Sequence, residues 1–169
     1  RAVRQVLEHG LINGTGYSGE PQGIVNTTGR QTKSFAGSVP TLLELVVMFE
    51  LLGQADADLS TSAWLLHPSM VASLLETQHG TNTDTIMRVT GPREWLLLGL
   101  PIQVSTQIPS GSVVLADWSK VAVCNFGPSQ VLVDGFSGGK SIRGDVELIV
   151  SNFVDIALAE VDNLVVGFA

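Results

Sequence analysis

The chain has 169 residues, of which 44% are hydrophobic and 15% are charged, and its formal net charge is −7. This length allows one domain with a hydrophobic core, and the hydrophobic content excludes an intrinsically disordered chain. Charged residues make up roughly 25% of an average soluble domain, so the low fraction here is typical of proteins that bury surface against other subunits. A neutral surface rich in Ser, Thr and Gly explains it equally well. The basic residues are scattered and none follows Arg143, so a basic nucleic-acid-binding patch is not expected.

The single cysteine and the lack of long apolar runs limit the chemistry of the protein. Cys124 cannot form an internal disulfide or a thiolate metal cage, and its place in an apolar run predicts a small buried side chain. No apolar stretch approaches the roughly 18 residues that span a bilayer, and the N-terminus carries no signal-peptide pattern. The sequence therefore predicts a cytosolic product.

The first residues predict the end of a helix followed by a loop. Val3, Val6, Leu7 and Leu11 lie at helical spacing, and no Ser, Thr, Asp or Asn stands before them to cap the helix. We therefore expect the beginning of this helix to lie outside the sequence, which would make the chain a fragment. Residues 10–37 are rich in Gly, Asn, Ser and Thr, which predicts a loop with short extended pieces.

Two helices and a buried strand are predicted in the next part of the chain. Ser38 is suited to cap a helix, Pro40 to occupy its first turn and Gly53 to end it. The segment between them is apolar almost all round, which predicts a helix buried on more than one side. The apolar run 63–66 predicts a buried strand, and a second helix is predicted over 68–76.

The rest of the chain is predicted as one long loop followed by strands. Residues 78–92 are polar and aperiodic, and loops of this length in a compact domain are usually functional. The strands 120–126 and 130–133 are expected to pair around Gly127-Pro128, and residues 135–139 to form a flexible loop. Further strands are predicted over 95–98, 102–106, 113–116, 146–150, 154–160 and 164–166. The order of elements predicts an α+β fold with a mixed or antiparallel sheet.

The short motifs in the sequence predict no catalytic, cofactor-binding or metal-binding residue. Residues 14–19 have the glycine spacing of a dinucleotide fingerprint, but they follow a helix where the fingerprint requires a strand. Gly139-Lys140-Ser141 lacks the earlier glycine of a phosphate-binding loop, and no helix is predicted after it. The three histidines lie in separate segments, and none is at metal-ligand spacing to another. Ser137 and Lys140 have Ser-x-x-Lys spacing, but a glycine-rich loop cannot hold them in attack geometry.

Several longer phrases, in order along the chain, are more specific than these motifs. Together they resemble the tailed-bacteriophage major capsid protein family, over essentially the whole chain. The resemblance implies the Hong Kong 97-type shell fold. The phrases are the glycine loop Gly10–Gly16 with Glu20–Asn26, the strand-to-helix step Ala63–Ser69, the step Leu98–Ser105, and Ile108–Gly111 with Leu115–Trp118.

In that family a subunit has an N-terminal arm, an extended β-hairpin loop, a peripheral domain with a long spine helix, and an axial domain near the capsomer centre. The resemblance implies that the arm, the extended loop and most of the spine helix lie before Arg1. Residues 1–37 would then hold the end of the spine helix and the glycine-rich loop. Residues 38–135 would form the axial domain, and 136–169 would return as strands shared with the peripheral domain.

The function that the resemblance implies is structural, not enzymatic. Copies of the chain would assemble in the bacterial host cytoplasm into pentamers and hexamers, and these would enclose the viral DNA in the capsid of a phage or prophage. Scaffold or portal proteins are possible partners, while specific nucleic-acid recognition and a membrane are not expected. Two alternatives stay open: an encapsulin-type bacterial compartment shell, and a nucleotide-binding α+β domain that uses the glycine loop.

Some family members link their subunits covalently through a Lys and an Asn. The Lys belongs on the extended loop, and the Asn should fall within residues 135–145. That segment contains no Asn, so this chemistry is not expected here.

Loops at the capsomer axis would have to fit both five-fold and quasi-six-fold rings, and polar loops that contain glycine suit that requirement. Loop length and composition favour 78–92 and 106–111, although both are equally consistent with plain surface loops. The predicted axis-contact residues are Gln78, His79, Asn82, Asp84, Arg88, Thr106, Gln107, Ile108, Pro109 and Ser110.

Overall fold

The structure is a computed structural model, and it describes residues 2–77, 85–91, 94–136, 138, 142 and 144–169. The α-helices within these residues are α1 (Ala2–Asn13), α2 (Leu42–Gln54) and α3 (Pro68–Glu76), and 3₁₀ turns occupy Ile24–Asn26, Trp118–Lys120 and Val161–Asn163. The strands are β1 (Gln31–Ser34), β2 (Ser62–Leu66), β3 (Met87–Gly91), β4 (Glu94–Leu97), β5 (Leu100–Val104), β6 (Ser112–Asp117), β7 (Val121–Asn125), β8 (Gln130–Asp134), β9 (Glu147–Ser151), β10 (Val154–Leu158) and β11 (Leu164–Phe168).

A mixed sheet of seven strands, in the order β1-β11-β6-β2-β5-β4-β3, forms the centre of the fold. The pairs β1/β11 and β2/β5 are parallel and the other neighbours are antiparallel. All six residues of β6 are buried, because the sheet is covered on both faces there. Val113 and Leu115 belong to the core cluster under α2 and α3, while Val114 and Ala116 belong to the cluster with Ile12 of α1. This alternation gives the fold two hydrophobic cores, one on each face of the sheet.

Helix α2 begins later than the sequence predicts, and its burial is one-sided. Thr41, and not Ser38, is the N-cap residue, because Thr41 and Glu44 form a reciprocal capping box. The helix runs to Gln54, one residue past the predicted stop at Gly53. Its buried residues Leu45, Met48 and Leu52 lie on one face, whereas Leu43 and Val46 are exposed. The expectation of a helix buried on more than one side is therefore wrong for this chain by itself.

The strand-to-helix step from β2 to α3 agrees with the prediction. Trp64 is fully buried in β2, and its indole N–H donates a hydrogen bond of 2.9 Å to the carbonyl of Leu97. His67 caps α3: its ring Nδ1 accepts a hydrogen bond of 3.2 Å from the backbone N–H of Ser69. Pro68 occupies the first turn, where its missing N–H is not needed.

The strand β3 lies inside the segment 78–92 that was predicted to be a loop, so that prediction is wrong for residues 87–91. β3 pairs with β4 and forms one edge of the sheet. The β4–β5 turn is two residues long, and both Leu98 (φ 51°) and Gly99 (φ 83°) have positive φ. Such a turn matches the right-handed twist of the strands on either side of it.

The strands β7 and β8 do not pair with each other, which corrects the hairpin predicted around Gly127-Pro128. β7 pairs with β10 and β8 pairs with β9, so residues 121–134 and 147–158 form one long two-stranded arm. The pairing continues across the middle of the arm, where the N–H of Phe126 donates to the carbonyl of Phe153 at 2.8 Å. Gly127, with φ 98°, marks an irregularity between two successive strands and not a reversal of the chain.

The inner half of the arm, β7 and β10, is attached to the core on the α1 side of the sheet. Ile156 is buried there together with Ile12 and Ile24, and Val121 and Leu158 pack against the same cluster. Cys124 is half-buried and lies opposite Asp155, so the prediction of a buried core cysteine is wrong. In the described part of the chain, no helix is long and apolar enough to cross a membrane.

Candidate functional site

The first loop predicted to contact the capsomer axis lies largely outside the described residues, and the residues left out include Gln78, His79, Asn82 and Asp84. Arg88 is described and exposed, but it belongs to β3. The register places it in line with Leu96 of β4 and, through Leu96, with Pro101 near the start of β5.

The second predicted loop follows the other end of β5 and is held firmly to the core. Ile108 is only 2% exposed and packs in the cluster with Ile12, so it is a core residue in this chain. The side-chain amide of Asn13 donates a hydrogen bond to the carbonyl of Gln107, and the N–H of Gln107 donates to Ser105 Oγ at 3.2 Å. Gln107 is half-buried, while the exposed members of the set are Thr106, Pro109 and Ser110.

The structure does not bring Arg88 and this turn together. Thr106 lies five positions after Pro101, which corresponds to about 16 Å along an extended chain. The two predicted loops therefore do not form one continuous surface among the described residues. Each loop therefore remains a separate candidate for contacts at the capsomer axis.

A larger apolar surface lies on the outer half of the arm, which we call the outer ribbon and define as Gln130–Asp134 paired with Glu147–Ser151. Opposite residues of an antiparallel pair point to the same face, and successive residues alternate between faces. On one face, which we call the narrow face, Leu132 and Ile149 lie between the polar residues Gln130, Asp134, Glu147 and Ser151. The other, the wide face, consists of Val131, Val133, Leu148 and Val150. The wide face is therefore apolar, whereas the narrow face is mixed.

The six apolar side chains of the outer ribbon, three on each strand, are between 41% and 65% exposed. Among the described elements, each strand of the ribbon makes its extensive contacts only with the other strand. An isolated two-stranded ribbon is at best marginally stable in water, because it buries too little apolar surface. The sequence indicated both strands, but their short apolar runs are also typical of buried core strands, so the exposed surface was missed.

A groove of about 890 Å³, lined by polar as well as apolar side chains, lies between α1, the loop 15–22 and the inner half of the arm. Tyr17, Phe126 and Phe153 line it and are exposed. Thr15, Gly16 and Gly19 of the fingerprint-like segment 14–19 also line this groove. The element that follows residues 14–19 is a short 3₁₀ turn, Ile24–Asn26, and not an α-helix. The geometry of a dinucleotide fingerprint is therefore not formed.

The buried carboxylate of Asp117 serves the fold at the end of β6. It is 1% exposed and accepts hydrogen bonds from Thr61 Oγ1 at 2.6 Å, Ser119 Oγ at 2.7 Å, and the backbone N–H groups of Ser119 (3.0 Å) and Asp58 (3.3 Å). Burial raises the pKa of Asp117, but these hydrogen bonds to the ionised form together outweigh it and hold the pKa below its usual value. In the described residues, no group of three or more His, Cys, Asp or Glu side chains could hold a metal ion.

The comparisons with known proteins agree with this architecture. The profile described as "Phage capsid family" matches residues 1–168. This chain belongs to the phage capsid family. A search of curated proteins found no match.

Solved structures of capsid and encapsulin chains share the fold at low sequence identity. The capsid of an empty GTA particle is 13% identical with a TM-score of 0.70, and the match covers 99% of this chain and 62% of that one. The SrpI encapsulin of Synechococcus elongatus is 18% identical (TM-score 0.66, covering 99% and 61%), and Gordonia phage Cozz is 13% identical (TM-score 0.65, covering 99% and 59%). The chain therefore has the Hong Kong 97-type α+β fold, and it spans about three-fifths of the length of these relatives.

Proposed function

We propose that this protein is a structural shell subunit of a phage or prophage capsid, and that copies of it assemble into pentamers and hexamers that enclose the viral DNA. The observation that carries the proposal is the family match over residues 1–168, together with a fold shared with a GTA capsid over 99% of the chain. The apolar surface of the outer ribbon supports it, because subunits of an assembly bury such surface against each other. Assembly would take place in the host cytoplasm, and scaffold or portal proteins would be further partners.

The charge of the chain indicates that the shell encloses the viral DNA without binding it strongly. The chain carries 16 acidic and 9 basic residues, and no basic residue follows Arg143. A shell made of subunits with this composition would not bind the phosphates of the enclosed DNA strongly, since such binding depends on clustered Lys and Arg. The part of the protein in this chain would form contacts between subunits and would not perform catalysis.

The domain division predicted from the resemblance is retained as part of this proposal, with residues 1–37 as the end of the spine helix and the glycine-rich loop, 38–135 as the axial domain, and 136–169 as strands shared with the peripheral domain. Within it, Thr106, Pro109 and Ser110 remain the described candidates for axis contacts on one loop, and Arg88 on the other. Their exposure supports this role, whereas Ile108 would act by holding the turn in place.

The test is the oligomeric state of the protein, expressed from its complete gene, because this chain spans only part of the length of its relatives. Light scattering and negative-stain electron microscopy over a concentration series should show rings of five or six subunits, curved sheets or closed shells. A protein that stays monomeric at every concentration, with and without co-expressed scaffold protein, would contradict a shell function.

The second candidate function is an encapsulin-type compartment, and the fold match to the SrpI encapsulin favours it. The contents of shells purified from the natural host distinguish the two. Nuclease-protected DNA inside the particles supports the phage function, while a stoichiometric protein cargo without DNA supports the encapsulin function.

A further inference from the structure

We propose that Asn13 is a self-modifying site, which deamidates spontaneously while the end of α1 is not packed against the turn 105–109 and stays unreacted in the folded subunit. Asn13-Gly14 is the only Asn-Gly pair in the sequence. Asparagine is most prone to deamidation before glycine, because no side chain at the next position hinders the backbone nitrogen that attacks it. The proposal goes beyond the shell function and does not depend on it.

The reaction needs only water and the atoms of the chain. The backbone nitrogen of Gly14 gives up its proton and forms a bond to Asn13 Cγ. The bond from Cγ to Nδ2 breaks, and the amide nitrogen leaves as ammonia with that proton. The succinimide ring that results then takes up a water molecule and opens to aspartate or isoaspartate. At a given pH, the rate therefore depends on the geometry at residues 13 and 14.

The fold holds the attacking nitrogen of Gly14 away from the side chain of Asn13. Asn13 is the last residue of α1, and helical side chains tilt towards the N-terminus of the helix while the next backbone nitrogen lies in the opposite direction. The N–H of Gly14 donates to the carbonyl of Gly10 at 2.9 Å. Gly14 is also buried, so its peptide unit has little room to rotate. Attack on Cγ therefore requires the last turn of α1 to open.

Two contacts from distant parts of the chain hold Asn13 in this unreactive arrangement. Its Nδ2 donates to the carbonyl of Gln107, in the turn whose buried Ile108 packs in the same cluster as α1. On the other side, Asn26 Nδ2 donates to the carbonyls of Asn13 at 2.8 Å and Gly14 at 3.2 Å. These partners lie 94 and 13 positions from Asn13 in the sequence. The protection is therefore tertiary, and it exists only while both neighbouring segments are in place.

Once formed, the modification prevents the site from closing again. Aspartate has no Nδ2 donor, so its carboxylate and the carbonyl of Gln107 face each other as two acceptors in a half-buried position. Isoaspartate also routes the backbone through the side chain, which adds a carbon atom to the backbone beside the buried Gly14. A subunit that stays open long enough to react is thus excluded from the folded population, and residue 13 records that history.

The first measurement compares the rate of deamidation in folded and unfolded chains of the complete protein. Both are kept in mildly alkaline buffer, without and with urea, and peptide mass spectrometry follows the replacement of the amide at residue 13 by a carboxyl group. The three hydrogen bonds that must break to Gly10, Gln107 and Asn26 each contribute about fivefold, so the folded protein should react on the order of a hundredfold more slowly. An equal rate in both samples, or no reaction in urea, overturns the proposal.

Two matched variants separate local opening from global unfolding. Ile108→Ala loosens the turn that holds Gln107, whereas Ile102→Ala removes the same atoms from a buried position of β5 in the other core. Both substitutions leave a cavity of similar size in a core. In the folded protein, Ile108→Ala should speed the reaction about tenfold, while Ile102→Ala should change it by less than about twofold. Equal acceleration in the two variants overturns the protection of Asn13 by this turn.

A proteolysis measurement needs no substitution and tests the exclusion of modified chains. Native protein aged in urea carries a mixture of modified and unmodified residue 13, and it is brought to the urea concentration at which half of the fresh protein is folded. A brief pulse of protease then destroys the unfolded chains. The survivors should contain about fivefold less modified residue 13 than the mixture before the pulse. An unchanged proportion means that modified chains fold as well as unmodified ones, and it overturns the exclusion.

Discussion

Replacement of Gly14 by alanine tests the close packing between the end of α1 and the loop that follows it. A Cβ atom at position 14 would lie 2.1 Å from the carbonyl oxygen of Pro21 and 2.4 Å from that of Gly10. Both neighbours are backbone atoms, so the clash cannot be relieved by a side-chain rotation. The N–H of Gly14 donates to the carbonyl of Gly10, and its own carbonyl accepts from the N–H of Gly23, each at 2.9 Å. A shift large enough to admit the methyl group breaks or lengthens both hydrogen bonds.

The expected loss of unfolding free energy follows from these two effects. Each backbone hydrogen bond contributes about 1 kcal/mol net, and forcing a methyl group into a well-packed site costs about 1–3 kcal/mol. Gly14→Ala should therefore destabilise the protein by about 3–5 kcal/mol. Gly53→Ala, inside α2, is the control, since a methyl group there would have no described atom within 4 Å apart from its own helix and chain neighbours. Alanine at this position should stabilise the helix by about 0.5–1 kcal/mol.

Urea unfolding, followed by tryptophan fluorescence and far-ultraviolet circular dichroism, measures both variants against the native protein. The reasoning is refuted if Gly14→Ala unfolds within about 0.5 kcal/mol of the native protein, which is the range of an ordinary surface substitution. An equal loss in both variants would refute it too, since the argument depends on the difference in their surroundings.

Further predictions concern the charged and capping groups. Asp117→Ala should cost about 2–4 kcal/mol in urea unfolding, because it removes all four hydrogen bonds that the buried carboxylate accepts; a native-like midpoint would argue against it. Because folding lowers the pKa of Asp117, the stability it contributes is present above its unfolded value near 3.8 and is lost as the pH falls below it. The urea midpoint should therefore drop on acidification to about pH 3, and Asp117→Asn should make that drop smaller. Thr41→Ala should destabilise the protein by about 1 kcal/mol while Ser38→Ala leaves it unchanged, and the reverse order would place the cap at Ser38. Assembled shells should separate into monomers in boiling detergent on an electrophoresis gel, where a ladder of covalent oligomers would disprove the expected lack of a cross-link.

Elements determined by neighbouring residues could be predicted from the sequence. His67 and Pro68 give the start of α3 because capping and a proline first turn act within a few residues. The correct cap of α2 was also visible as Thr41 followed three residues later by Glu44, but Ser38 carries the same chemistry and competes with it. Strand positions were predicted for the same reason, since an alternating or apolar run needs no knowledge of its partner.

Pairing and exposure could not be predicted, because they depend on residues far apart in the chain. β7 was expected to pair with β8 across a short turn, whereas its partner is β10, with Val121 opposite Leu158. The apolar run Val131–Val133 is suited to a core strand, and only the tertiary arrangement places it on a free-standing ribbon. For the loop 106–111, composition indicated a polar surface, but the burial of Ile108 arises from its contact with α1.

The position of β11 between β1 and β6 has a consequence for synthesis of the protein. Gln31 pairs with Val165, so the two partners leave the ribosome far apart in time. Until residues 164–168 emerge, the space between β1 and β6 has no strand to fill it, and the buried side chains Val165 and Val166 are missing from the two cores. The arm, residues 121–134 and 147–158, is made before that space is filled. A nascent subunit therefore completes its sheet only after nearly all the described residues have been synthesised, which delays the point at which finished copies can meet.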